Sequence, residues 1–407
     1  MNPSFDKRLS PEQRVTAIHS ACRALWELTV AVTLMATITP ALAHAAEGRW
    51  AVYAGAEGHN DAERPAHGLV LVAWSARRDR DAAMLGVTLN TDTLRLFAGG
   101  LPLSDATTLS AQVTGEAFVA GLSTDYWRDG AHVAERTFRS SYAQAQVWTR
   151  TQLADALVGE VELGGRRWFF GPQPGETGAG FRLPAEAWVL EPRLRLTAWW
   201  LREDAGFDEP NRLFPRLRGV ALGVEAGVDM RSSARPWGGD ATTLDPRNHP
   251  KTIAARVRPW AMGGGALSER VRAQAQLEAG WARGDDDLTR RRVGGLTPYV
   301  AQVPGVFWAH DLADRYASAL VSVPFALDDT RDVELGPLFG GAALTDPHRV
   351  GDGDKVGARW GAGLALDARL GAWQVDARAG YSPSLPERDS ARAWTLYVGA
   401  GWVGSGG

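Results

Sequence analysis

Six stretches of this chain alternate between apolar and polar residues with a period of two. In the clearest, residues 270–281, valine, alanine, leucine and tryptophan fill every second position, and mostly charged or amide residues fill the others. Successive side chains of a β-strand point to opposite faces, so each stretch predicts a strand with one apolar and one polar face. The other five are residues 190–200, 220–231, 360–370, 373–381 and 394–402. The pattern predicts an all-β protein.

The same alternation is typical of a soluble β-sandwich and of a transmembrane β-barrel. Aromatic placement favours the barrel, because Trp373 and Tyr381 are eight residues apart, as are Trp394 and Trp402. Eight residues span about 26 Å along a strand. Tilting the strand by about 40° reduces this to a height of roughly 20 Å. That approaches the apolar band of about 25 Å between two aromatic girdles, so these four residues are predicted to form the membrane girdle.

A sheet surrounded by lipid must close on itself, since each unpaired backbone group costs several kcal/mol there. We therefore expect the last strand, near Trp402, to pair with the first, near residues 49–55. At about 10 residues per strand plus turns, residues 46–407 allow roughly 12 to 16 antiparallel strands. Polar stretches rich in proline and glycine predict loops at residues 202–216, 235–251, 285–306 and 342–359.

The N-terminus has the order of a secretory signal: basic residues, an apolar stretch over residues 28–38, and a small-residue run from Ala41 to Ala46. We predict a signal peptide over residues 1–45 and a single barrel domain over residues 46–407. A membrane anchor is the alternative, although the apolar run is short for one. The only cysteine, Cys22, precedes the cleavage region, so the mature chain is expected to lack cysteine.

Composition narrows the function classes. The formal net charge is −3, which gives no reason to expect a nucleic-acid partner. No run of about 18 apolar residues follows the N-terminal segment, so a helical membrane protein is not predicted. The 17 tryptophans suit a membrane interface, with outer-membrane lipid as a partner. The predicted location is the outer membrane of a Gram-negative-type bacterium.

The chain shows no catalytic constellation, so no enzyme activity, metal or cofactor is expected. There is no Gly-x-Ser-x-Gly motif, and the histidines lack the spacing of metal ligands. The run 285–287 is three aspartates, which we interpret as a solvated loop tip rather than a calcium site. The adjacent pair His310 and Asp311 is weak support for a barrel protease, because no second acidic pair accompanies it.

The polar faces carry charges of both signs that are predicted to line the lumen. For any one of them, pairing with a neighbouring strand is favoured over a role in selectivity. The predicted lumen-facing charges are Arg193, Arg195, Glu225, Asp229, Arg231, Arg256, Arg258, Arg272, Glu278, Asp367, Arg369, Asp376 and Arg378.

Residues 285–403 contain a series of features in a recognisable order. They are the Gly294-Gly295 pair, the stretch Val303-Pro304-Gly305-Val306, a strand ending at residues 321–325, a glycine-rich strand at residues 336–343, and the Gly-Ala-Gly-Leu strand at residues 361–364. In order and spacing they resemble the C-terminal half of the barrel of the Omp85, or D15 surface antigen, family.

The resemblance implies sixteen strands, a weakly sealed seam between the first and last strands, and a long loop whose tip, residues 303–306, tucks into the lumen. In the family the tip reads Val-Arg-Gly-aromatic, and its arginine anchors the loop inside the barrel. Here Pro304 and Val306 replace the arginine and the aromatic residue. No POTRA domain is expected before the barrel. The implied function is transport or assembly across or into the outer membrane, with protein or small-solute cargo.

Three alternatives remain open from the sequence. A general diffusion porin predicts an open lumen, and a barrel enzyme needs convergent catalytic groups at the rim. A secreted β-sandwich predicts no membrane role. The position of residues 285–315 relative to the lumen distinguishes the Omp85-like interpretation from the porin.

Overall fold

The computed structural model describes fourteen segments of the chain. They are residues 49–59, 67–77, 84–90, 93–116, 123–124, 127–128, 131–132, 134–200, 217–239, 248–296, 301–306, 311–345, 356–384 and 393–405. The predicted signal peptide, residues 1–45, lies outside them. Within these segments, no helix is long and apolar enough to cross a membrane.

Sixteen antiparallel strands form one sheet. They are β1 (Arg49–His59), β2 (His67–Arg77), β3 (Met84–Asn90), β4 (Thr93–Pro102), β5 (Thr107–Glu116), β6 (Phe138–Ala154), β7 (Leu157–Pro172), β8 (Trp188–Trp199), β9 (Gly219–Arg231), β10 (Ile253–Ala266), β11 (Arg272–Arg283), β12 (Arg315–Ser322), β13 (Val333–Thr345), β14 (Val356–Leu370), β15 (Trp373–Ser382) and β16 (Ala393–Ser405).

The shorter elements lie between or beside these strands. Two of them extend the sheet, namely Ser123–Thr124 and Phe325–Ala326. Two form a small hairpin between β5 and β6, namely Trp127–Arg128 and Ala131–His132, and a 3-10 turn follows at Ala134–Arg136. The last two form a ladder within the β11–β12 connection, namely Arg291–Val293 and Asp311–Ala313.

Each strand pairs with the next along the chain, and β16 pairs with β1, so the sheet closes into a barrel. The closing register runs from Arg49 opposite Ser405 to His59 opposite Thr395. The predicted closed barrel is confirmed, with sixteen strands at the upper end of the expected range. The sandwich alternative is wrong, because one closed sheet replaces two stacked ones.

Most connections are longer at one end of the barrel, called the long-loop end, than at the other, called the short-turn end. β11 and β12 are joined through residues 284–314 at the long-loop end, and β14 and β15 through the two-residue turn Gly371–Ala372 at the short-turn end. Two connections depart from this pattern: residues 200–218 join β8 and β9 at the short-turn end, and residues 91–92 join β3 and β4 at the long-loop end. Longer loops lie on the extracellular side of outer-membrane barrels. The predicted loop 342–359 is too long, because β13 continues to Thr345 and β14 begins at Val356.

The outer surface is a band of exposed aliphatic residues with tryptophans near both ends. Trp373 lies opposite Trp402 near the short-turn end. Tyr381 lies opposite Trp394 near the long-loop end, with ring centroids 4.9 Å apart. Trp373 and Trp394 are both about half exposed, which suits side chains that contact an interface rather than a protein core.

Inside the barrel, two tyrosines lock the seam between β1 and β16. The hydroxyls of Tyr53 and Tyr397 are 2.5 Å apart, and both side chains are buried. Each ring lies over glycine on the opposite strand: Tyr53 over Gly399, and Tyr397 over Gly55. The seam is paired along eleven residues of β1, so the expected weak seal is not what the structure shows.

This packing predicts that Gly55→Ala destabilises the barrel. A Cβ at position 55 would lie 2.5 Å from the Tyr397 hydroxyl oxygen, and the buried ring has little room to move. Overpacking of this kind costs roughly 1–3 kcal/mol. The measurement is the temperature at which the folded form is lost in a heat-modifiable gel assay.

Gly58→Ala on the same strand is the control, because a Cβ there meets nothing within 4 Å. Equal unfolding temperatures for the two variants would contradict the proposed packing of Tyr397 on Gly55.

Candidate functional site

The connection between β11 and β12, residues 284–314, is called the lumen loop. Its described parts, residues 284–296, 301–306 and 311–314, fold back into the barrel. Its two ends pair as a short antiparallel ladder, in which Arg291–Val293 lies against Asp311–Ala313. Between them, Gly294 donates its N–H to the Ala301 carbonyl and Gly295 donates to the Val306 carbonyl. Both glycines have positive φ, which a side chain would oppose. The Gly294–Gly295 pair therefore forms the turn at which the loop enters the lumen.

Apolar residues of the lumen loop build a hydrophobic core inside the barrel. Leu296 is fully buried against side chains from five strands, namely Tyr53, Leu71, Leu320, Leu338 and Tyr397. A second cluster joins the rest of the loop to β12 and β13 through Val293, Ala301, Val303, Val306, Ala313, Tyr316, Ala342 and Leu344. These contacts fill the lumen beside the seam, so the loop lies inside the barrel.

The predicted loop tip packs on a glycine-lined part of the wall. A Cβ on Gly361 of β14 would overlap the Pro304 carbonyl oxygen, and one on Gly380 of β15 would lie 2.5 Å from the Gly305 nitrogen. A Cβ on Gly340 of β13 would lie 2.6 Å from Cδ of the Pro304 ring. Gly305 itself has φ of 79° and approaches the β15 backbone. Glycines on both surfaces are what allow so close an approach.

Two hydrogen bonds attach the lumen loop to both strands of the seam. The Leu296 N–H donates to Glu57 of β1 at 2.8 Å, and the Gly305 N–H donates to the Thr395 hydroxyl of β16 at 3.0 Å. Glu57 and Thr395 are almost fully buried. The loop therefore bridges the first and last strands of the barrel.

A buried ion pair holds the end of the loop that leads into β12. Arg359 of β14 donates two hydrogen bonds to Asp311, at 2.9 Å from Nε and 3.1 Å from Nη2. The two side chains are 8% and 1% exposed. Here the wall supplies the guanidinium and the loop supplies the carboxylate, whereas the Omp85 resemblance implied an arginine at the loop tip, where this chain has Pro304. Asp311 is thus engaged by Arg359, and His310 lies outside the described residues.

Two of the three aspartates at the start of the loop, Asp285 and Asp286, are buried, and Asp287 is bound to an arginine, so their interpretation as a solvated tip is wrong. Asp286 accepts hydrogen bonds from Arg231 and from the Trp237 indole, each at 3.1 Å. Asp287 accepts one from Arg290. Burial raises the pKa of the Asp285 carboxyl, and the Arg256 guanidinium, 3.5 Å away, opposes that shift. Arginine partners, rather than water, hold this run in place.

The structure places the predicted lumen charges on the inner wall. Most of them form ion pairs, whose partners lie on a neighbouring strand, on the same strand, two strands away or on the lumen loop. Glu225 is the centre of one group, with Arg195 and Arg258 within about 3 Å. The remaining pairs are Arg256 with Asp229, Arg272 with Glu334, Arg291 with Glu278, and Arg369 with Asp367. Arg193 contacts Glu191 and Glu162, Arg378 contacts Gln302, and Asp376 contacts Gln374 and Tyr53.

The loop leaves a cavity of about 330 Å³ between itself and strands β8 to β12. Arginines dominate its lining: Arg193, Arg256, Arg258, Arg290, Arg291 and Arg292. Among the described residues, no group of three His, Cys, Asp or Glu side chains is placed to hold a metal ion.

A closed sixteen-stranded antiparallel barrel, apolar outside and filled by an inward loop, is a transmembrane barrel of the outer-membrane type. Solved structures of similar fold include BamA from Haemophilus ducreyi lacking POTRA domains 1–3. The two chains are 11% identical, with a TM-score of 0.59, over 88% of this chain and 71% of that one. The predicted Omp85-type architecture is confirmed at the level of the fold.

Two CdiB structures give the same result. CdiB from Acinetobacter baumannii is 11% identical, with a TM-score of 0.56, over 88% of this chain and 60% of that one. CdiB from Escherichia coli is 13% identical, with a TM-score of 0.55, over 87% and 63%. This chain thus spans less than two thirds of either CdiB chain. No protein-family model and no curated protein matches the sequence.

The buried ion pair predicts a large effect for Asp311→Asn. The substitution leaves the Arg359 guanidinium buried without its counter-charge, which typically costs about 3–5 kcal/mol. The measurement is the urea midpoint of unfolding of the reconstituted barrel. Asp329→Asn is the control, because Asp329 and its partner Arg270 are both largely exposed, and its midpoint should stay unchanged. A similar small shift in both variants would show that the pair does not hold the loop.

The glycine-lined wall predicts that Gly361→Ala displaces the loop tip. The added methyl overlaps the Pro304 backbone, so the tip must move away from β14. The measurement is labelling of a cysteine introduced as Val303→Cys with a membrane-impermeant thiol reagent. Val303 is fully buried, so the parent should label slowly and the Gly361→Ala variant fast.

Gly165→Ala on β7 is the control for this labelling, since a Cβ there meets nothing within 4 Å. Labelling that is fast in the parent, or slow in all three proteins, would contradict the packing described for the tip.

Proposed function

We propose that this protein takes part in the transport or assembly of polypeptides across or into the outer membrane. The observation that carries the proposal is the attachment of one loop to both sides of the seam. Leu296 is bound to Glu57 of β1, and Gly305 is bound to Thr395 of β16. Such a loop is placed to link the state of the lumen to the state of the seam.

The two attachments give that link a physical basis. Withdrawing the lumen loop vacates the space beside the seam and also removes the two hydrogen bonds by which the loop bridges β1 and β16. Tyr53 and Tyr397 then remain as the inner seal, with one face of their rings no longer covered by Leu296. Loop release and seam opening therefore favour each other, because they share the same contacts.

The inner wall opposite the seam suits a polypeptide better than a single small solute. Charges of both signs alternate there through Glu160, Arg195, Glu225 and Arg258. Such a surface offers donors and acceptors to many sequences without selecting one charge. The proposed role needs no catalytic group, and we propose no enzyme activity.

The porin alternative finds less support in the geometry. A diffusion porin needs a water-filled lumen, whereas the lumen loop packs into the interior here.

A disulfide across the seam tests the proposal. Ala54 and Ala400 are direct partners in the closing register, a geometry that suits a disulfide after Ala54→Cys and Ala400→Cys. In a deletion strain of the source bacterium, we expect the outer-membrane and secreted proteomes to change. Wild type, each single variant and the reduced double variant should restore them, whereas the oxidised double variant should not.

The single variants control for loss of each alanine, and reduction controls for misfolding of the double variant. Unchanged proteomes in the deletion strain would contradict a role in transport or assembly. Full restoration by the oxidised double variant would contradict the involvement of the seam.

A further inference from the structure

Two connections at the long-loop end fold over the inner face of the barrel. Trp237 follows β9, yet its ring centroid lies 5.6 Å from that of Phe138 on β6. Phe138 is six residues from Gln144, which binds the inner-wall carboxylate of Glu191, so Phe138 also faces inward. Because β7 and β8 lie between β6 and β9, the contact spans roughly 14 Å of the inner wall.

Backbone hydrogen bonds join the two connections into one unit. We call this unit the cap, residues 173–182 and 232–239. The Arg182 N–H donates to the Gly239 carbonyl at 2.9 Å, and the Gly238 N–H donates to the Arg182 carbonyl at 3.0 Å. Phe181 stacks on Phe138, with ring centroids 5.9 Å apart. The cap therefore packs on the wall from inside the barrel.

The lumen loop is bonded to the cap near its start. The Trp237 indole N–H donates to Asp286 at 3.1 Å, and the Asp287 backbone N–H donates to the side-chain oxygen of Asn248 at 3.1 Å. Asn248 in turn accepts a hydrogen bond from the Trp237 backbone. Arg231 of β9 also donates to Asp286, so cap, wall and loop meet at one buried carboxylate. Hydrogen bonds to an ionised acceptor are the stronger kind.

The part of the loop beyond this carboxylate is stiffened by ion pairs and a ladder. Arg290 binds Asp287 at 2.7 Å and Asp314 at 2.8 Å, which ties the two ends of the loop together. The ladder of Arg291–Val293 with Asp311–Ala313 follows directly. A movement of the tip is therefore transmitted to the residues that hold the cap.

The cap leaves little space beneath it. Ala187 and Trp237 line a cavity of about 30 Å³ there, which holds about two water molecules. Long connections lie outside the cell in outer-membrane barrels, so the cap covers the extracellular end of the lumen beside β6 to β9. A polypeptide leaving by this route requires the cap to move.

We infer that the cap and the lumen loop open together, so that the extracellular end opens when the loop leaves the seam. The loop binds the cap through Asp286 and Asp287, and it binds the seam through Leu296 and Gly305. The inference rests on the proposed function and deepens it, because it assigns control of the extracellular exit to the contact between cap and loop.

The test asks whether a change at one end of the loop is detected at the other. The full barrel is reconstituted into phosphatidylcholine nanodiscs, which leave both ends accessible, and is labelled with a hydrophilic maleimide. Ala187→Cys reports on the cap, because Ala187 is only 4% exposed. Val303→Cys reports on the loop tip. Labelling rates are measured on the folded, heat-modifiable form alone.

Trp237→Phe removes the N–H that binds Asp286 and keeps an aromatic ring against Phe138. We expect it to speed labelling of Val303→Cys about tenfold, the size of effect that loss of one bond to a buried charge produces. Gly361→Ala, which displaces the tip, should speed labelling of Ala187→Cys by about the same factor, because coupling between two sites is reciprocal.

Trp188→Phe and Gly165→Ala are the matched controls, and neither should change either rate. Trp188 is 61% exposed on the outer face of β8, and a Cβ at position 165 meets nothing within 4 Å. The inference is overturned if Trp237→Phe speeds labelling only at the cap, or Gly361→Ala only at the tip. Each arm decides the question alone, so failure of one variant to fold leaves the other as the test.

The labelling experiment uses no cargo, so its result is separate from that of the proposed function. Uncoupled labelling, in a barrel whose seam disulfide still blocks restoration of the proteomes, would refute the role of the cap alone. Unchanged proteomes in the deletion strain would contradict the proposed function even if the two labelling rates were coupled.

Discussion

Backbone hydrogen bonds between β1 and β16 close the barrel, and the rest of the structure depends on that closure. In lipid, each unpaired N–H or C=O costs several kcal/mol, so an open sheet edge has no stable place there. Eleven residues of β1 find partners on β16. Once the ring is closed, every strand has an outer face toward lipid and an inner face toward the lumen. The period-two pattern of the sequence follows from that division.

Closure also leaves an interior to be filled, because a ring of sixteen strands encloses more space than the side chains of its own wall fill. This chain fills part of that space with the lumen loop, whose apolar residues are as fully buried as those of a soluble protein's core. Leu296, Val303 and Val306 are fully buried, while Leu194 and Leu364 on the outside are more than half exposed. Glycines of β13, β14 and β15 give the loop room. The wall and the loop are therefore fitted to each other.

The sequence predicted the strands best where only the outer face is apolar. β8, β9, β11 and the last three strands met that condition. The strands before β8 did not show it, because large aromatic residues also lie inside the barrel there. Phe97 stacks on Trp148 at 5.7 Å, and Trp168 stacks on Phe170 at the same distance. The inward loop was predicted from resemblance alone. The pair of Asp311 with Arg359 was not predicted, because 48 residues separate the partners and no local pattern links them.

The pair of Asp311 with Arg359 shows how a loop inside a barrel is anchored without an arginine at its tip. A loop inside a barrel needs a directional contact, because apolar packing alone allows it to slide along the wall. A bidentate arginine–carboxylate pair supplies direction whichever surface carries the arginine. With Pro304 at the tip, the guanidinium comes from β14 and the carboxylate from the loop. Removing either partner would leave the other charge buried without compensation, so Asp311 and Arg359 hold the loop against β14 only as a pair.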